Sequence, residues 1–134
     1  MWWTIRVLAM VCLMVVLSAG VALAASSLIT GTNGDDRIKG TSKAEEISGL
    51  KGDDEIVDGL GADTVHANAG ADNLIGYGGD TSVDRFSGGA GRDTIQSRDV
   101  PASRDRVSCG AGVDRVYADK ADVVAEDCER VEAW

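Results

Sequence analysis

The chain holds a single histidine, a single proline and three cysteines, its aromatic content is 4%, and its 13 lysines and arginines face 22 aspartates and glutamates. Each scarcity closes off a class of function. With His66 as the one imidazole, there is no histidine cluster for a transition metal and no histidine-based relay for nucleophilic catalysis. The formal net charge of −9 argues against a surface that grips nucleic-acid phosphates or anionic lipid heads by charge. Cationic partners fit instead. At 134 residues the chain suits one small domain, with no room for a separate catalytic one. Familiar binding loops are also missing: no G-x-x-x-x-G-K-[ST] run occurs, and Gly76-Tyr77-Gly78-Gly79 does not complete G-x-G-x-x-G. The stretch from Asp54 to Gly59 fails as an EF-hand loop, because Ile56 stands where that loop needs an oxygen ligand.

Long apolar runs are missing everywhere except at the start. Arg6 is followed by VLAMVCLMVVLSAGVALA from Val7 to Ala24, which closes on the small-x-small triplet Ala22-Leu23-Ala24. A positive start, an apolar middle and such a triplet predict a secretory signal peptide over residues 1–24; the alternative is an uncleaved membrane anchor, since the run sits at the lower edge of spanning length. Cleavage would remove Arg6 and Cys12 and leave a mature net charge of −10. Two cysteines then remain in an exported protein, and Cys109–Cys128 is the expected disulfide, worth about 3 kcal/mol in the chain-entropy model. A two-thiolate zinc site is the competing reading, and it lacks further ligands nearby.

What is abundant is glycine: 16 of 17 lie between Gly31 and Gly112. From Gly31 the sequence repeats every nine residues, as GTNGDDRIK, GTSKAEEIS, GLKGDDEIV, DGLGADTVH and ANAGADNLI. GYGGDTSVDRFS and SRDVPASRDRVS each carry three extra residues and flank GGAGRDTIQ; CGAGVDRVY and a degenerate ADKADVV follow. A period of nine fits neither a single helix nor a coiled coil. The eighth position reads Ile38, Ile47, Ile56, Val65, Leu74, Phe86, Ile95, Val107, Val116 and Val124, so each unit supplies one inward residue on a very short strand. The sixth position reads Asp36, Glu45, Asp54, Asp63, Asp72, Asp84, Asp93, Asp105, Asp114 and Asp122, a carboxylate in every unit. A unit this small cannot bury its apolar residue alone, whereas stacked copies bury a continuous ladder.

The pattern resembles the hemolysin-type, or RTX, calcium-binding nonapeptide family, written G-G-x-G-x-D-x-U-x. GGAGRDTIQ matches it at Gly88, Gly89, Gly91, Asp93 and Ile95, whereas Thr32, Leu50, Ala67 with Asn68, and Cys109 stand where the family has glycine. The resemblance implies an all-β fold, a parallel β-roll in which two units make one coil and alternate units stack on opposite edges. On one edge Gly34, Gly52, Gly70, Gly91 and Gly112 stand two residues before the carboxylate; on the other only Gly61 does. The first edge is therefore expected to shape its turns better around an ion.

Carboxylates stacked one coil apart repel by about 3 kcal/mol per adjacent pair at about 5 Å and an effective dielectric of about 20, and no basic ladder offsets them. Ca2+, a hard ion that accepts six to eight oxygens in flexible geometry, is the expected cofactor, with Asp36, Asp54, Asp72, Asp93, Asp114 and Asp63 as its ligands. No catalytic constellation is present; His66 at a ninth position reads as solvated. The expected organisation is a signal peptide at 1–24, a short lead-in at 25–30, repeats at 31–117, and a disulfide-tied C-terminal cap at 118–134. The chain looks similar to small Sec-exported bacterial calcium-binding proteins: secreted, monomeric, without nucleic-acid partners and without stable membrane insertion after cleavage. Alternatives are a calcium-stabilised adhesion or interaction module, or an accessory repeat subunit of a separately encoded secreted enzyme. An ice-binding solenoid would need a regular threonine face, which Thr64 and Thr94 do not make.

Overall fold

The computed structural model describes residues 26–134, so the expected signal segment at 1–24 lies outside the described residues. The strands are β1 (Ser27–Thr30), β2 (Arg37–Lys39), β3 (Glu45–Lys51), β4 (Glu55–Val57), β5 (Thr64–Ala69), β6 (Asn73–Ile75), β7 (Arg85–Gly91), β8 (Thr94–Gln96), β9 (Arg106–Gly112), β10 (Arg115–Ala118), β11 (Val123–Val124) and β12 (Arg130–Ala133). Odd-numbered strands form one six-stranded sheet and even-numbered strands the other, each in sequence order. Neighbours in each sheet are parallel. The chain thus winds as a β-solenoid of about six coils, one strand per sheet in each coil.

The nine-residue period sets the register. Ile29, Ile47, Val65, Phe86, Val107 and Val124 align across the first sheet. Ile38, Ile56, Leu74, Ile95, Val116 and Val131 align across the second. From Ile38 to Val116 the eighth-position residues are all buried, and they form the core between the two sheets. Each such aliphatic side chain contributes about 2 kcal/mol on burial. The outer face of the second sheet carries Arg37, Glu55, Asn73, Thr94, Arg115 and Arg130 in register. Arg37 and Glu55 pair there at 3.5 Å, an exposed contact worth under about 1 kcal/mol.

Both three-residue insertions fall in turns, at 76–84 and 97–105, so the strands keep register across them. The turns that lead from odd to even strands stack backbone on backbone. Gly70 (φ 151°) and Gly91 (φ 143°) occupy left-handed conformations there. An added Cβ would overlap the carbonyl oxygen of the glycine one coil earlier, Gly52 and Gly70 respectively. Where the repeat's second-position glycine is replaced, the same backbone persists: Leu50 (φ 83°) and Asn68 (φ 79°) align with Gly89 (φ 108°) and Gly110 (φ 95°).

The lead-in supplies β1, which pairs with β3, and the closing stretch adds β11 to one sheet and β12 to the other. Cys109, buried in β9, is bonded to Cys128, with 5.1 Å between their Cα atoms. The bridge takes both thiols away from any zinc site. Among the described residues no helix is long and apolar enough to cross a membrane.

Candidate calcium-binding edges

Each coil turns twice, and the sixth-position residues stand at these turns, so they stack in two rows. On the first edge the N–H of Asp36 donates to Asp54 Oδ1 (2.9 Å), that of Asp54 to Asp72 Oδ1 (2.8 Å), and that of Asp72 to Asp93 Oδ1 (2.9 Å). The row continues from the N–H of Asp93 to Asp114 Oδ1 (2.8 Å) and from that of Asp114 to Glu129 Oε2 (2.8 Å). On the second edge Glu45, Asp63, Asp84 and Asp105 donate in the same way to Asp63 (2.8 Å), Asp84 (2.8 Å), Asp105 (2.9 Å) and Asp122 (3.0 Å). Each carboxylate after Asp36 and Glu45, which head the rows, thereby satisfies the amide of the coil before it. This pins one oxygen and leaves the second to find another partner.

That second oxygen distinguishes the members. Asp54, Asp63, Asp72, Asp93 and Asp114 are buried, and the Oδ2 of each lacks a hydrogen-bond partner. Asp36 differs, because its Oδ2 accepts from the N–H (2.6 Å) and hydroxyl (3.0 Å) of Thr32. Glu45 is held likewise by Thr41, whose N–H reaches Oε2 at 2.8 Å. Toward the far end of the second edge, Ser103 Oγ donates to Asp105 Oδ1 (2.9 Å), and Ser97 Oγ with the N–H of Asp119 occupies Asp122 Oδ2 (both 2.8 Å). Unpartnered oxygens therefore run along the first edge from Asp54 to Asp114 and sit mid-way along the second.

The electrostatics follow from burial. Removal from water pushes Asp63 and Asp93 up to about 6 against their hydrogen bonds, with the charges of neighbouring carboxylates adding to the rise. Asp84 rises to about 7, by burial first and then by the charges of Asp105 and Asp63. Asp54 and Asp72 are raised by burial as well. Such rows resist ionising together unless a positive charge enters. An ion set among them must be hard and tolerate a donor set made only of oxygens, which describes Ca2+ better than zinc or copper. The residues present fit it: Asp54, Asp72, Asp93 and Asp114 would hold it on one edge and Asp63 on the other.

The nine-residue pattern did not disclose three further buried carboxylates on the second edge. Asp58 takes the first position of its unit, where the repeat has glycine; Asp80 and Asp99 lie in the two lengthened turns. Burial pushes Asp58 up to about 8, helped by the charge of Asp84. For Asp80 burial is outweighed by N–H groups of Ser82, Gly61 and Thr81, which hold its carboxyl low. Glu129, which ends the first row, did carry a signal: it stands two residues before Val131, the spacing of the sixth and eighth positions.

A family model described as RTX calcium-binding nonapeptide repeat (4 copies) matches residues 30–57, 48–83 and 79–99, about half the chain. Nothing among curated proteins or solved structures matches significantly. Repeats of this family bind Ca2+, and with its nine-residue period, parallel coils and stacked carboxylates the chain belongs to the RTX calcium-binding nonapeptide repeat family, as a β-roll.

Proposed function

We propose that this calcium-binding β-roll is a secreted, non-enzymatic protein that folds when it meets extracellular calcium, with Asp36, Asp54, Asp72, Asp93, Asp114 and Asp63 as ligands. The observation that carries the reading is the set of buried, unpartnered carboxylate oxygens at Asp54, Asp63, Asp72, Asp93 and Asp114. A buried polar atom without a partner costs free energy, and a row of them of one sign costs more. A cation that binds only the coiled chain repays that cost and stabilises the coil by mass action. Asp36 fits as an end member, with Thr32 supplying donors to one of its oxygens.

Support for an extracellular role comes from the family, whose repeats are typical of extracellular bacterial proteins, and from the disulfide. The apolar run before residue 25 supports export. Support for a non-enzymatic role comes from the carboxylates themselves, which keep phase with the repeat, and from a family that is typically structural and calcium-binding.

The experiment is a calcium titration of the mature chain followed by far-ultraviolet circular dichroism. Little regular structure is expected in chelator, and a cooperative gain of β structure on adding calcium, with magnesium at equal concentration doing much less. A chelated sample with the calcium-loaded spectrum overturns folding on calcium.

A further inference from the structure

We infer that Asp58 joins Asp63 and Asp84 in a three-carboxylate calcium site on the second edge, set apart from the rest by a carboxylate at a position where the repeat usually has glycine. The inference rests on the reading of the roll as calcium-binding and adds a ligand and a place to it.

A side chain at the first position of a unit points toward the carboxylate row. At Gly31 an added Cβ would stand 2.7 Å from Asp36 Oδ2, and at Gly40 2.9 Å from Glu45 Oε2. At Gly49 and Gly88 it would run into the Oδ2 atoms of Asp54 and Asp93. In these four units the first position thus faces the outer oxygen of that unit's own sixth-position carboxylate, an oxygen that has no hydrogen-bond partner in Asp54 and Asp93. In the unit that begins at residue 58 the first residue is an aspartate, so a further carboxylate is delivered to that space.

The structure shows the result. Oxygens of Asp58, Asp63 and Asp84 lie within 4.8 Å of one another, and the three residues are 1%, 0% and 2% exposed. Their outer hydrogen bonds orient them. Asp58 Oδ1 accepts from the N–H of Gly59 (2.7 Å) and of Tyr77 (2.8 Å), Asp63 Oδ1 from that of Glu45 (2.8 Å), and Asp84 Oδ1 from that of Asp63 (2.8 Å). The Oδ2 atoms of Asp58 and Asp63 are buried with no partner. Among the described residues the one side-chain ion pair joins Arg37 to Glu55, so no basic group answers these three.

Three carboxylates that are sealed from water and unanswered by a base call for a divalent cation. Calcium suits the place better than magnesium, which sheds its water reluctantly and wants a strict octahedron. The lengthened turn closes beside the trio: Asp80 Oδ2 accepts the N–H of Gly61 at 2.7 Å, which ties the insertion to the turn that carries Asp58 and Asp63.

The test counts calcium bound per chain by equilibrium dialysis at saturating calcium, in the unaltered protein and in two variants. Asp58→Gly restores the residue usual in the repeat. Asp58→Asn keeps the oxygen used by Gly59 and Tyr77 and so guards against a loss of fold, which circular dichroism in calcium monitors in parallel. Both variants are expected to fold and to bind one calcium fewer, and the class lost is the tightest, because no other place among the described residues gathers three carboxylates. Equal counts and equal tightest affinities in all three proteins overturn the site while leaving a calcium-binding roll in place. An unaltered chain that binds no calcium overturns both, so the two failures are distinguishable.

Discussion

The backbone N–H of Asp72 donates to Oδ1 of Asp93 at 2.9 Å, one coil further on, while Asp72 itself accepts from Asp54 at 2.8 Å. Asp72 is therefore both donor and acceptor at the middle of the first row, and its Oδ2 has no partner. Asp105 is placed differently, on the second edge, where Ser103 already donates to it.

Replacing Asp72 with alanine should raise the calcium concentration at the folding midpoint clearly more than replacing Asp105. Loss of a buried charged ligand from the first row removes calcium affinity as well as the N–H acceptor for Asp54. In Asp105→Ala the lost carboxylate is one that Ser103 already meets, beside Asp122, whose second oxygen is held by Ser97 and the N–H of Asp119. Calcium titrations of the two variants, followed by circular dichroism, decide it; equal shifts, or a larger one for Asp105→Ala, contradict the assignment.

Gly91→Ala should be far more damaging than Gly34→Ala. The first places a Cβ on a left-handed residue against the Gly70 carbonyl and should cost about 3 kcal/mol. Around Gly34 the nearest contact for an added Cβ is Thr32 Oγ1 at 3.9 Å, and the cost should stay under about 0.5 kcal/mol. Thermal unfolding in saturating calcium measures both, and similar midpoints would count against backbone-on-backbone stacking.

Acidification should act in opposite directions with and without calcium. Asp63 and Asp93 sit at about 6 in the coil, Asp84 at about 7 and Asp58 at about 8, all above their unfolded values. The metal-free coil therefore holds protons that the unfolded chain releases, so its stability is greatest at low pH and is lost as pH rises through these values. In chelator, the chain should gain β structure between about pH 8 and about pH 5. Over the same interval the calcium midpoint should rise, since protons compete with the ion for the same oxygens. A calcium midpoint that does not move with pH would mean that these carboxylates are not the ligands.

Removing the Cys109–Cys128 bridge should loosen the last coil first. The crosslink spans a sequence separation of 19 and is worth about 3 kcal/mol in the chain-entropy model. The double Cys→Ala variant should need more calcium to fold and should show faster amide exchange in β11 and β12 than in β5 and β7. Uniform exchange across the sheets would show that the bridge does not act locally.

How much of this could be read in advance depends on whether a residue's role is set by period or by direction. Ile56, Leu74 and Ile95 on the inside and Asp54, Asp72 and Asp93 at the turns recur in phase, and stacking follows from phase alone. Asp58 gives no such signal, because its meaning depends on where a first-position Cβ points, and that is a property of the wound backbone. The end coils were hidden for another reason. Ile29 stands nine residues before Ile38, and Val131 aligns with Val116, but neither end segment has the glycines that make a unit recognisable.

The amide-to-carboxylate links have a polarity: in both rows the donor belongs to the earlier coil and the acceptor to the later one. A chain that emerges amino end first presents each donor before its acceptor exists. Asp36 waits for Asp54, Asp54 for Asp72, and so on to Asp114, which waits for Glu129. Among the described residues each of these turns is therefore held by the coil that follows it, and removing one coil would leave the turn amides of the coil before it without their acceptors.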